Sequence, residues 1–544
     1  MRLPRSRCSL FLSFTLFAAL LTLFAACGGS PTTPGNNSSN TASSKQVLRY
    51  PNVGTTDVGK LDPASGPDSN SNQAINMIFT GLVKSDKDLN VVPDQATWDV
   101  SDNNKVYTFH LKQGITFSDG TPVTAQTYVY TWTRNLLPEV KSPVAPVLEE
   151  SIVGATDVNS GKSKTLTGVQ AVDDHTLKVT LVRPTAYFLQ VLTVSLFYPL
   201  NQKLIEQYGQ ANWTQHVAGN AAGTGPFMVK SWEANSRMVL VPNPHYYGSK
   251  TKLSEVDMLF VKDPSTALKS YRAGQYDFVW GIIPDDQAIA KSLPGFIRKP
   301  ILQTDSLFFN NKMAPFDKTP VRQAFAAAID KQTLSSAILH DAVTPASTIV
   351  PPGEPGSQAD YAGIPFDKAK AKSLLQSVYP DLSKVPPVTF TYPSGQMSND
   401  EAAALQQMWQ QALGIQVKLQ SVELTAYNDM TTKRTVQFGF TQWSVYFPDP
   451  YEWLDLSLLS TAGNNNGNWN NPDFDKTVAE AEQSSGEQRL ALYAKAERIA
   501  IDNVGWLPLD HQSMAAVFPP KVHGISLNGQ GLYFGDWSDV YLTQ

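Results

Sequence analysis

VTFTYPSGQMSNDEAAALQQMWQQALGIQVKL, residues 388–419, holds two different periods, and together they decide the fold class. Val388, Phe390 and Tyr392 alternate as a strand does, whereas Ala404, Leu405, Met408, Trp409 and Ala412 recur on one helical face. Ser398 and Glu401 have the spacing of a capping box, so the helix starts there, and Gly414 ends it. Ile415, Val417 and Leu419 then alternate again. Strand, helix and strand at this spacing form a βαβ unit with parallel strands, and the chain reads as α/β. A further apolar strand at residues 438–443 follows a helical stretch around Tyr427. Ligands of open parallel sheets bind beyond the carboxyl ends of the strands, which puts residues 443–453 beside a cleft; the same segment also reads as an ordinary buried strand ending in a proline-rich loop.

Upstream, Val47-Leu48-Arg49-Tyr50 predicts a first strand. Residues 98–100, a turn at Asp102-Asn103-Asn104, and Tyr107, Phe109 and Leu111 on one face predict a hairpin. Ser118-Asp119-Gly120-Thr121-Pro122 is a second turn, and Thr124 caps a helix whose apolar stripe includes Tyr128, Trp132 and Leu136. Core packing is the plain reading of these aromatic residues.

The amino terminus decides where the chain resides. Arg2, Arg5 and Arg7 precede an uncharged run over residues 10–26, the layout of a secretory leader. Leu23-Phe24-Ala25-Ala26-Cys27 resembles a bacterial lipoprotein signal, in which cleavage precedes a cysteine that then carries lipid; Phe24 departs from that pattern, and a retained anchor helix or free secretion are the competing readings. Residues 28–44 are glycine, serine, asparagine, threonine and proline with a single alanine and no aromatic residue, a tether and not a core. Of the two cysteines, Cys8 leaves with the leader, so no internal disulfide or thiolate metal site is expected. Loss of three leader arginines takes the net charge from −5 to −8, which offers no footprint for nucleic acid or anionic lipid. A hydrophobic content of 42% is globular, and the length suggests two or three domains.

Gly81-Leu82-Val83 through Trp98, then Tyr107-Thr108-Phe109-His110-Leu111 and Phe117-Ser118-Asp119-Gly120-Thr121-Pro122-Val123-Thr124-Ala125 resemble the signature of extracytoplasmic oligopeptide-binding proteins that serve ABC transporters (solute-binding protein family 5). The similarity continues through Gly223-Thr224-Gly225-Pro226-Phe227, Asn243-Pro244-His245-Tyr246-Tyr247-Gly248, Pro320-Val321-Arg322-Gln323-Ala324 and Trp469-Asn470-Asn471-Pro472, in order along nearly the whole mature chain. The resemblance implies a type II periplasmic binding protein fold: two lobes with a hinge of two crossovers, plus an additional inserted domain. It divides the chain into a signal peptide (residues 1–26), a lipid-anchored tether (27–45), lobe I (46–81, 219–306 and 519–544), the inserted domain (82–218) and lobe II (307–518), with crossovers near Leu307 and Phe518.

The function implied is capture of oligopeptides outside the cell and delivery to ABC permease and ATPase subunits, by a monomer, without catalysis, metal or cofactor. A peptide lies in such a cleft as an added strand, main-chain bonds giving affinity while side-chain pockets stay permissive. The segments that resemble the family's cleft are Ser69-Asn70, Trp280-Gly281 and Gln442-Trp443-Ser444-Val445, with Cys27 as the lipidation site and Pro448 and Pro450 shaping the loop. Peptide binders of this family place an aspartate shortly after that tryptophan, paired with the ligand's α-amine; this chain has Tyr446 there. A desolvated ammonium without a counter-charge is unfavourable by several kcal/mol. Either Asp449 or Glu452 reaches in, or the ligand has a blocked or absent amine.

Two other classes compete. One is a binder of the same fold for a non-peptide solute lacking a free α-amine, such as a glycan. The other is a secreted hydrolase. Its signals are weak: His110, His175, His216, His245, His340, His511 and His523 are too dispersed for a local zinc motif, and there is no Gly-x-Ser-x-Gly elbow. Ser249-Lys250-Thr251-Lys252 fits Ser-x-x-Lys but sits in a polar loop without the companion motifs.

Overall fold

The computed structural model describes residues 46–220, 222–395 and 397–543; the leader, the tether and Cys27 lie outside them. The βαβ unit forms as the two periods require. Strands Val388–Pro393 and Val417–Val422 are parallel, with Val388 opposite Val417 and Phe390 opposite Leu419. Helix Asn399–Leu413 between them starts where the Ser398 side chain accepts the Glu401 amide at 3.0 Å and ends at Gly414, whose φ of 72° suits a residue without a Cβ. The buried stripe is Ala402, Leu405, Trp409, Ala412 and Leu413, with Ala404 and Met408 at its margin. Trp409 packs edge-on against Phe390 and Phe438 and satisfies its indole N–H on the Phe325 carbonyl at 3.2 Å.

That unit extends into a seven-stranded sheet ordered Val279–Trp280, Trp506–Val517, Phe296–Phe309, Phe438–Ser444, Val388–Pro393 and Val417–Val422, with Thr344–Pro345 paired on Trp506–Val517. A four-stranded sheet runs Val47–Val53, Glu255–Val261, Arg237–Pro242 and Phe227–Glu233; its first pair is parallel and the others antiparallel. A second four-stranded sheet is antiparallel throughout: Ala96–Ser101, Val106–Leu111, Thr176–Thr180 and Val169–Asp173. Its hairpin turns at Asp102, Asn103 and Asn104, all with φ between 50° and 64°, a region these short polar side chains tolerate. Helix Ala125–Leu136 packs on it; Tyr128, Trp132 and Leu136 are fully buried, so the stripe is core.

Two long antiparallel strands link the cores. Phe296–Phe309 and Trp506–Val517 pair first over residues 296–300 and 513–517, beside the core that holds Leu48, Val279 and Ala516. After a register break between Pro300 and Thr304 they pair again, and Leu307, Phe309, Leu507 and Leu509 enter the core built on Trp409. The change of core precedes Leu307 and Phe518 by several residues.

Polar side chains fill this break. Gln512 Nε2 donates to Asp305 at 3.0 Å and to Asp510 at 2.7 Å, while His511 Nδ1 lies 2.9 Å from the Thr304 hydroxyl. Burial drives the carboxyls of Asp305 and Asp510 upward and pushes neighbouring Glu401 up to about 8, with the Asp305 charge adding to the rise at Asp510 and Glu401. Burial pushes His511 down to about 4 and Lys331, which donates to the Ala346 carbonyl, down to about 8. Raised carboxyl values mean that the fold prefers the neutral acids, so their contribution is full below the unfolded carboxylate range and is lost as pH rises through neutrality. Asp305→Asn, which keeps an acceptor for Gln512, is therefore expected to be more stable than the parent by on the order of 2–4 kcal/mol at pH 8, the gap closing towards pH 4. Thermal melts of both proteins across that range measure it.

Candidate functional site

The helix Ser69–Ile78 opens at Asp68, whose side chain accepts the Ser71 amide. Its apolar face (Ala74, Ile75, Met77 and Ile78) goes into the core. Ser69, Asn72, Gln73 and Asn76 are left along one wall of a cleft of about 570 Å³. The facing wall is Ser444-Val445-Tyr446, the end of strand Phe438–Ser444 and the start of its loop. The carboxyl-terminal segment adds Asn528, Gln530, Tyr533 and Trp537, and the stretch at Thr193-Val194-Ser195 closes one end. Gln530 Nε2 reaches across to the Tyr446 carbonyl at 2.9 Å, which joins two walls by one neutral bond.

Most polar groups of this lining are amides and hydroxyls. The Lys84–Asp536 pair, at 2.5 Å and largely exposed, sits on one side, and Asp94 is buried beneath it, accepting from the Tyr247 hydroxyl. Such walls exchange hydrogen bonds with an uncharged backbone; they do not present an activated nucleophile beside a base. Among the described residues no group of three metal-ligating side chains converges.

Of the residues singled out from the sequence, Ser69, Ser444, Val445 and Tyr446 line the cleft together. Asn70 stands behind Ser69: its carbonyl accepts from Asn52, and its Oδ1 is buried without a protein partner. Trp280 turns into the first core and donates to the Pro51 carbonyl at 2.7 Å, and Gly281, at a φ of 67°, lies against Val53. Gln442 points to the strand break, where its Nε2 is 3.5 Å from Asp305. Trp443 packs on Trp506 with ring centroids 6.2 Å apart and keeps a buried indole N–H without a protein partner.

Asp449 does not face the cleft. It caps helix Pro450–Leu458 and accepts from both terminal nitrogens of Arg489 at 2.8 and 2.6 Å, while that guanidinium lies between the rings of Tyr187 and Tyr493. Releasing a buried bidentate pair costs about 3–5 kcal/mol, so Asp449 is committed to packing. Glu452, one turn on, has the opposite setting. It is 2% exposed and lines a side cavity of about 40 Å³ that shares Pro67, Asn72, Val194, Ser195 and Tyr446 with the cleft. Burial pushes its carboxyl up to about 8, with Asp449 and Glu150 adding in the same direction.

Asn72, Gln73, Asn76, Asn528 and Gln530 were not among the residues expected from sequence. A polar stripe opposite Ala74 and Met77 carries the signal for the first three. The tail residues carry no local signal, because only the tertiary fold brings them to residue 446.

The sequence model of the bacterial extracellular solute-binding proteins, family 5 (middle), matches residues 90–465. The chain is 32% identical over 495 residues to the probable deoxycholate-binding periplasmic protein YgiS of Escherichia coli K12, covering 89% of this chain and 91% of that one. Over 500 residues it is also 32% identical to the periplasmic oligopeptide-binding protein OppA of the same strain, covering 89% and 90%. The solved structure of the Escherichia coli murein tripeptide binding protein MppA superposes with a TM-score of 0.77 at 29% identity, over 92% of this chain and 99% of that one. Its fold is thus the two-lobed α/β fold of these proteins, and its role is binding, not catalysis. With the cleft between its walls and these matches along its length, the chain belongs to the bacterial extracellular solute-binding proteins of family 5.

Proposed function

We propose that the protein is a lipid-anchored receptor that captures oligopeptides in the cleft and delivers them to the permease and ATPase of an ABC importer. The observation that carries this reading is the cleft wall itself: amide and hydroxyl groups from three separate parts of the chain, with little charge, across from a strand end. An extended peptide offers such walls a regular series of donors and acceptors. Relatives named as oligopeptide-binding support it. In this reading residues 46–81, 219–306 and 519–544 form lobe I, 82–218 the inserted domain and 307–518 lobe II; the two long strands are the hinge, and Cys27 carries the lipid.

A second reading is favoured by one observation. Tyr446 stands where a carboxylate is expected for an α-amine, and one of the relatives at 32% identity is named for deoxycholate, which has no amine. Mass spectrometry of whatever is released from the purified protein by mild denaturation separates the two: peptides support the first reading, and a single amine-free solute replaces it with the second.

Closure draws on the Gln530–Tyr446 bond. A neutral hydrogen bond contributes about 0.5–1.5 kcal/mol, so Gln530→Ala is expected to weaken guest binding roughly 3- to 10-fold with little change in melting temperature, as read by titration calorimetry. Cys27→Ala is expected to move the protein from the membrane fraction to the soluble one, as read by fractionation and by loss of fatty-acid label.

A further inference from the structure

The side cavity beneath Tyr446 is built differently from the cleft it joins. Its lining is mostly apolar, from Pro63, Val144, Val147, Val194, Leu196 and Phe447, and Glu452 lies within it. No lysine, arginine or histidine is among the described residues that line it. The Glu452 Oε2 has a weak contact with the Tyr446 amide at 3.4 Å. The charged groups nearby do not offset a carboxylate there. Asp449 is neutralised by Arg489, Glu150 is held by the Tyr451 hydroxyl, and Glu354 accepts from the Trp453 indole. None of the three supplies a positive charge to Glu452, and Asp449 and Glu150 push its carboxyl further upward.

Three kinds of guest terminus can be weighed against this setting. A carboxylate enters a field of like sign without a cation, and is excluded. An ammonium has three N–H donors to satisfy in a mostly apolar lining, and the carboxylate facing it has only one weak amide contact, so both charges would stand with few hydrogen-bond partners. An acyl group brings a carbonyl acceptor and a hydrogen or methyl, which match a carboxylic O–H donor and valine and proline walls. A cavity of about 40 Å³ has room for a few heavy atoms of this kind.

We propose that this cavity receives the acylated amino terminus of a peptide, formyl or acetyl, with the Glu452 carboxylic acid donating to the acyl carbonyl. The inference rests on the peptide reading above and narrows it to a class of peptide. Glu452 then selects by remaining neutral, and Tyr446 covers the group that enters.

The test is competition on the intact purified protein among three forms of one mixed-sequence pentapeptide library: free amine, N-formyl or N-acetyl, and free amine with an amidated carboxyl end. Bound peptides are identified by mass spectrometry, and the best binder of each form is titrated by calorimetry. Acylated peptides are expected to bind at least tenfold tighter than their free-amine counterparts at pH 6.5. That advantage declines above about pH 8, where Glu452 in the empty protein ionises, by up to tenfold per pH unit. Glu452→Gln, which keeps a neutral donor, is expected to retain the preference and lose its pH dependence; Glu452→Leu is expected to lose tenfold for acylated peptides. Equal or tighter binding of the free-amine form, or preference for the amidated form, overturns this inference and leaves the peptide reading standing. Capture of none of the three forms overturns the peptide reading, and the inference falls with it.

Discussion

Two antiparallel strands, Phe296–Phe309 and Trp506–Val517, carry the chain between two hydrophobic cores, and the rest of the architecture depends on their being continuous while their pairing is not. A ladder without a break is stiff across its length, because each residue is held by its partner. Within the break between Pro300 and Thr304 the Leu302 amide donates to the Gly529 carbonyl at 2.6 Å, while the side chains of Gln512, Thr304, His511, Asp305 and Asp510 bond among themselves. The two cores are therefore joined at a polar seam. Packed interiors resist bending, since each lost contact is felt, whereas a seam of hydrogen bonds can exchange partners.

The same physics governs carboxyls at the seam and at the cleft, with opposite outcomes set by the neighbours. Asp449 is as buried as Glu452, yet it meets a guanidinium in bidentate geometry and stays committed to it. Glu452 meets apolar carbon, a distant amide and two further acidic groups, and burial raises it. Asp305 and Asp510 share one amide between them and are raised together. Ionisation in these places follows the partner and not the residue type, which is why the cap and the first turn of one short helix hold a carboxylate fixed by a guanidinium and an acid raised by burial.

This division also marks how far the sequence could be read. Periodicity settled the βαβ unit, because Trp409 and Leu405 must share a face for the helix to cover a sheet, and Ser398 and Gly414 punctuate it through backbone groups that the sequence itself supplies. The hairpin at Asp102 followed for the same reason: its turn residues are those that accept positive φ. The rule for parallel sheets put the strand end beside a cleft without deciding against a plain buried strand, and Ser444-Val445-Tyr446 do line the cleft. Gln530 and Asn528 were not, since nothing near them in the chain encodes their distance from residue 446. Nor could spacing say which of Asp449 and Glu452 stands beside the cleft. Arg489, forty positions downstream of Asp449, makes that choice.

A cleft lined by amides and hydroxyls has a consequence for what it can distinguish. Each neutral bond to a guest replaces one to water and is worth about 0.5–1.5 kcal/mol, much the same for any amide along an extended chain. The middle of a peptide is thus gripped without regard to its sequence, and tight discrimination has to come from groups whose mismatch is expensive. Those are the ends, where a charge either finds a partner or is stranded. In this protein the cleft adjoins a small, mostly apolar cavity that holds a buried acid, whereas its own polar lining is mainly amides and hydroxyls. A distribution of charge of this kind can discriminate at a guest's terminus while it tolerates variation along the body.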